Sequence, residues 1–356
     1  MARNRGGGTR RHGRGTIAGL LVLEAVLMVT LWAPAAQPDP GRRAASGRQQ
    51  LPSLAAVLDG LEAHGAAVRS AYGEFAYTEW QDATILTRTP RYVTSASVRW
   101  AMDGPQFAEV ARLTFSDRQT RTHLRQCDGE TMLAYVPMPG GAPGAETAFE
   151  APVARAARSA QTISDFRAQG LWSPAGTLFT LVGRYDPSGR SVADGVRAAA
   201  ARLVGAEDFN GLKCYRLESR RTRDDEIPGK GPIRVTTTHT WWVATNPGFG
   251  LAGRQSRQDT QHLYAHPPDY VKTSVTRFTW SGFARYGSGT WLPRQMNMRS
   301  QQTWVSGKTK ELRRASLKAV SLHVNEAVPK DLLQVQLPAD VRVQEVGQGS
   351  RHRLVE

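Results

Sequence analysis

Cysteine is almost missing from this chain. Its 356 residues hold two, Cys127 and Cys214. Two cysteines so far apart in sequence make no zinc knuckle and allow at most one disulfide. There is no Gly-x-Ser-x-Gly nucleophile elbow and no glycine-rich loop of the phosphate-cradling kind. Catalysis here would need groups assembled in space, because no local motif supplies them. Lysine is scarce beside arginine. Long apolar runs are absent too, apart from Thr16 to Trp32 (TIAGLLVLEAVLMVTLW), which only Glu24 interrupts.

That one run has telling flanks. Arg3, Arg5, Arg10, Arg11 and Arg14 precede it, and Ala33-Pro34-Ala35-Ala36 follows. Residues 1–36 therefore read as a bacterial export signal, or as an N-terminal anchor if retained. Glu24 makes a stable membrane span costly, which favours cleavage. No cysteine stands near the cleavage site, so the chain is not itself a lipoprotein of the usual kind. Residues 37–50 (QPDPGRRAASGRQQ) read as a flexible linker, and the folded part begins near Leu51. Export implies the periplasm, or the periplasmic side of an anchored chain. In that oxidising compartment Cys127 and Cys214 either pair as a disulfide or stay as buried thiols.

The net charge is +15. Beyond Leu51 the basic residues are scattered rather than clustered, which argues against nucleic acid. For an exported chain an anionic membrane surface is the more accessible partner.

Leu54, Val57, Leu58, Leu61 and Val68 recur at helical spacing, with Ser53 as a cap. The period then changes. Strand-like segments lie near 73–80, 84–88, 91–101, 106–115, 120–127 and 130–136, with hairpin turns at Asp103-Gly104 and Asp128-Gly129. After a loop at 137–147, residues 148–183 read as a helical insert. An Ala-rich part comes first and an apolar helix begins near Pro174. A polar connection at 186–196 follows. Strands resume near 200–207, 212–221, 234–244, 250–260, 271–285, 291–305 and 309–324, with Asn210-Gly211 as a turn and loops at 223–232 and 262–269. Residues 346–356 form a polar tail. The class is α+β and mainly antiparallel, suited to one curved sheet or barrel.

His262 and His266 have H-x-x-x-H spacing but sit in loop context, so a surface loop is the better reading. Asp224-Asp225-Glu226 reads as a solvated loop. No metal or cofactor is expected.

Several segments resemble the LolA/LolB-like superfamily of bacterial envelope proteins, which includes outer-membrane lipoprotein-sorting and RseB-like periplasmic proteins. They are CDGETMLAYVP (127–137), GAEDFNGLKCYRLES (205–219), TWWVATNPGFGLAGRQ (240–255), FARYGSGTWLPRQM (283–296) and LLQVQLPADVRV (332–343). Two features depart from the pattern: Ala244 stands where the family often has Asp, and the loops at 137–147 and 223–232 are long. The resemblance spans most of 51–345. It implies a half-open, unclosed barrel covered by helices, with an apolar cavity for acyl chains of a lipid or lipoprotein. No enzymatic activity is implied.

The residues agree with such a cavity. Leu292, Met296, Met298 and Trp304 share one strand face. Leu171, Trp172, Leu178, Phe179 and Leu181 in the insert offer a cover. Trp241 and Trp242 are adjacent, so one faces the concave side and the other faces outward. The expected ligand-lining set is Leu171, Trp172, Leu178, Phe179, Trp241, Leu292, Met296, Met298 and Trp304. A face of Trp, Leu and Met can equally be solid core. The alternative is then a regulatory or structural envelope protein filled by its own side chains, with a hydrolase on the curved sheet less favoured.

Overall fold

The computed structural model describes residues 51–82, 93–135, 147–152, 175–184, 189–227, 231–245, 248–263, 270–287, 289–339 and 341–345. They form a mostly antiparallel β-structure with a few short helices. The first helix, α1, is Leu54–Ala66; the Ser53 hydroxyl accepts from the Ala56 N–H at 3.1 Å. Six strands follow: β1 (Ser70–Gln81), β2 (Val93–Asp103), β3 (Gln106–Phe115), β4 (Thr120–Cys127), β5 (Thr131–Tyr135) and β6 (Thr147–Pro152). Two seven-residue helices come next, α2 (Ala175–Leu181) and α3 (Val192–Ala198). The second run is β7 (Arg202–Phe209), β8 (Leu212–Ile227), β9 (Gly231–Ala244), β10 (Leu251–His262) and β11 (Val271–Ser281). It ends with β12 (Ala284–Arg285), β13 (Trp291–Leu292), β14 (Gln295–Trp304), β15 (Thr309–Val324) and β16 (Arg342–Glu345).

Fourteen strands join in one sheet, in the order β16-β6-β5-β4-β3-β2-β1-β15-β14-β11-β10-β9-β8-β7. β12 and β13 pair separately. The order does not return on itself, so the sheet is unclosed. Neighbours are antiparallel except β16 and β6. The sheet is thus two meanders, β1–β6 and β7–β15, stitched where β1 meets β15.

The expected hairpin turns are present. Asn210 and Gly211 have φ of 50° and 79°, the left-handed pair that a tight turn requires. Asp103-Gly104 and Asp128-Gly129 link β2 to β3 and β4 to β5.

Four expectations are corrected. The Ala-rich stretch from 148 does not start as helix: residues 147–152 are β6, paired with β5 and β16. Cross-strand pairing overrides the helical preference of alanine there. The supposed loop at 223–232 is mostly strand, because β8 runs to Ile227 and β9 starts at Gly231. The polar connection expected at 186–196 gives way to α3 from Val192 onward, where Ser191 and Asp194 form a reciprocal capping box. The segments 271–285 and 291–305 are each broken into two strands. The expected strand at 84–88 lies outside the described residues.

One main core serves both meanders and all three helices. Val57, Leu58 and Leu61 of α1, Leu178, Phe179 and Leu181 of α2, and Val192 and Val196 of α3 pack with Phe75, Trp100, Phe107, Trp241 and Met296 of the sheet. The helices therefore lie on one face, called here the inner face. Phe179 meets Trp100 and Phe107 edge-on, at 5.4 Å and 5.2 Å between centroids. At Gly65 a Cβ would lie 2.6 Å from the Gly183 carbonyl oxygen, so a glycine is needed where α1 meets the end of α2. The outer face of β3–β5 is covered by Val335, Leu337 and Val341, which pack on Leu124 and Tyr135.

Candidate functional site

Register fixes what the inner face displays. Direct cross-strand partners run Leu217, Trp241, Arg254, Phe278, Met298, Ala315 and Glu79, from β8 across to β1. One step toward the helices the row is apolar: Trp280, Met296, Leu317, Tyr77 and Ala96. One step the other way it is polar throughout: Ser219, His239, Ser256, Thr276, Ser300, Arg313 and Gln81. The inner face is thus divided. A helix-covered half carries aromatics and methionines, and the other half carries hydroxyls, amides and charge.

Six of the nine expected residues meet in the apolar half. Leu178, Phe179, Trp241, Leu292, Met296 and Met298 belong to one core and are each at most 5% exposed. Trp304 is not among them; it is half-buried at the far end of β14, beyond the polar row, opposite Val271. Leu171 and Trp172 lie outside the described residues. Of the two adjacent tryptophans, Trp241 faces inward. Trp242 faces outward, where it stacks on Phe209 at 4.2 Å and lies under Arg277 at 5.6 Å. Gly253 makes that stack possible: a Cβ there would lie 2.4 Å from the Phe209 ring.

The apolar half is not uniformly filled. A hollow of about 540 Å³ opens beside it, lined by Asn210, Leu212, Trp280, Ser281, Gly282, Phe283 and Trp291. Trp280 is a member of the main core and Phe283 packs against it, whereas Leu212 packs against the outward cluster of Phe209 and Trp242, so the hollow opens where the two clusters adjoin. Its volume falls within the roughly 300–1,000 Å³ of small-molecule sites. Sequence reasoning missed Trp280 and Phe283. Their signal, a second aromatic-rich strand beside Met296 and Met298, appears only once β11 is known to pair with β14.

Charged groups border the apolar half. Glu79 accepts hydrogen bonds from Tyr77, Gln81 and Arg313. Burial pushes the Tyr77 hydroxyl well up, and the Glu79 charge adds to it. Burial works against the charge of Arg313, but the Glu79 bond outweighs it and raises its pKa. On β3 and β4, Glu109 and Arg125 form a fully buried pair at 3.3 Å. His239 is held below the usual histidine range by burial and then by Arg254. It is therefore neutral at pH 7.

The cysteines do not form a bridge. Both are free and buried, Cys127 in the main core and Cys214 in the outward cluster with Trp242 and Phe209. Their strands, β4 and β8, lie on opposite sides of the β1–β15 seam. Two further corrections concern polar motifs. His262 is not in a surface loop; it ends β10, is 2% exposed and packs on Tyr270. Asp224 is on β8 and pairs with Arg234 across the hairpin at 2.8 Å. His266 lies outside the described residues. Among the described residues no group of three His, Cys, Asp or Glu side chains could hold a metal, and no helix is long and apolar enough to cross a membrane.

No family model and no curated protein matches the chain. Solved structures do show similarity. A DUF1329 family protein from Desulfovibrio piger is 13% identical, covering 80% of this chain and 98% of that one, with a TM-score of 0.38. The lipoprotein LppX of Mycobacterium tuberculosis is 12% identical over 78% and 99%, with a TM-score of 0.25. LprF from Mycobacterium bovis is 10% identical over 77% and 94%, also at 0.25. With identity and superposition this low, function has to be read from the chain's own residues.

Proposed function

We propose that the chain is an exported binding protein of the bacterial cell envelope that holds acyl chains of a lipid or lipoprotein against its inner face. The observation that carries this reading is the hollow at Trp280, a residue that pairs across the strands with Met296 and stacks with Phe278, which in turn pairs with Met298. Methionine and aromatic side chains accept loosely shaped apolar cargo. The cover supports the same reading. α2 and α3 are seven residues each and pack on the sheet through side chains, so they can shift without breaking strand pairing. Cover and cargo compete for one surface, worth roughly 25 cal/mol per Å² to either.

Native mass spectrometry of the protein exported by its host tests this. The expected result is a mass increment that organic extraction removes and identifies as lipid. A bare protein mass would count against it.

One observation favours a second reading, a regulatory or structural envelope protein with a filled core. Leu178 and Leu292 are fully buried and Met296 is 2% exposed. Met298→Trp separates the two. If the core opens for cargo, the variant keeps its stability and loses lipid. If the core is solid, overpacking costs about 1–3 kcal/mol in urea denaturation and there is no lipid to lose.

A further inference from the structure

We infer that the bound amphiphile carries an anionic headgroup, a carboxylate or a phosphate, and that Arg254 holds it where the apolar and hydroxyl-bearing halves of the inner face meet. The inference rests on the acyl-binding reading above and names the chemistry of the cargo's other end.

The arginines that border the core on this face are not alike. Arg125 has Glu109, and Arg313 has Glu79. Arg254 takes part in no ion pair or hydrogen bond among the described residues. Its direct cross-strand partners are Trp241 and Phe278, which offer no acceptor. The flanking strands β9 and β11 carry no carboxylate; Asp259 on its own strand and Glu218 on β8 point to the opposite face and are already held, Glu218 by Arg216 and Asp259 by Arg257 and Thr273. Arg254 is half-buried between two aromatic residues with no carboxylate partner, so an anion from outside would supply the counter-charge that this face lacks there.

The surroundings suit such an anion. Ser256 and Ser300, one step along the strands, offer hydroxyl donors, and Thr276 between them donates its own proton to Ser300 at 3.2 Å. Neutral His239 adds no competing charge. The guanidinium fork matches carboxylate and phosphate oxygens in pairs. In the other direction Phe278 and Trp280, with centroids 6.3 Å apart, lead to the hollow. A chain lying along them places its tail in the apolar half and its headgroup at Arg254.

Binding of oleate, 1-oleoyl lysophosphatidate and neutral 1-monoolein to the purified protein tests this. Arg254→Met keeps the side chain's length and apolar stem. It should weaken oleate and lysophosphatidate by roughly tenfold or more and leave monoolein and the melting temperature unchanged. Arg254→Lys should recover part of the loss. The more tightly bound anion identifies the headgroup as carboxylate or phosphate. If all three probes bind and Arg254→Met alters none of them, the inference is overturned and acyl binding stands. If none of the three binds the unaltered protein, acyl binding fails and the inference goes with it.

Discussion

At the scale of single residues, burial decides chemistry. Cys214 has no exposed surface, and its thiol is pushed up to about 12, by burial first and then by Asp208 and Glu207. Cys127 is pushed up as well, again mainly by burial. Both thiols therefore stay protonated near neutrality. At pH 8 the folded protein should resist a thiol reagent, whereas denaturant without reductant should reveal two thiols. Finding none would restore the bridge. Because the folded pKa is the raised one, the stability linked to Cys214 is complete below its ordinary value of 9.0 and is lost as pH climbs toward about 12. The Glu109–Arg125 pair makes a second prediction. Arg125→Leu leaves a carboxylate in the core and should cost about 3–5 kcal/mol in urea denaturation. Adding Glu109→Leu should return much of that loss. At this scale the sequence was partly legible. Strand alternation required Trp241 and Trp242 to face opposite ways, but which faced inward depended on β8 and β10, whose register no local pattern reveals.

Secondary-structure elements were legible wherever they were long and periodic. α1, with its Ser53 cap, and the hairpin β9–β10 follow from their own residues. Short elements were harder. α3 has too few residues for a clear apolar period, and its one signal was Ser191 three positions before Asp194. Ser191→Ala removes that cap and should cost about 1 kcal/mol, measurable as a lower midpoint in thermal unfolding. The strand ends at 223–227 hid behind charge. There β8 and β9 are joined by the Asp224–Arg234 ion pair, and a solvated ladder resembles a loop in composition. The junction of α1 with α2 is a tight seat of the cover, set by backbone rather than by a movable side chain. Gly65→Ala forces a methyl against the Gly183 carbonyl and should loosen the cover, at a cost of about 1–3 kcal/mol. Hydrogen exchange should rise in α2 and not in β14.

For the molecule as a whole, the antiparallel sheet was legible and the candidate site only half so. Met296 and Met298 could be recognised because they sit on one strand. Arg254, Phe278 and Trp280 could not, because their significance comes from neighbours on other strands. The seam between β1 and β15 has a consequence for how the chain reaches this state. Each meander can zip locally, strand by strand, yet Ala71 pairs with Val324 across nearly the whole folded length. Contacts of such long span form slowly. A chain emerging N-terminus first must therefore wait for β15 before its two halves can join, with the edges of β1 and β14 open in the meantime. That delay leaves the emerging chain open to aggregation until its last strands arrive.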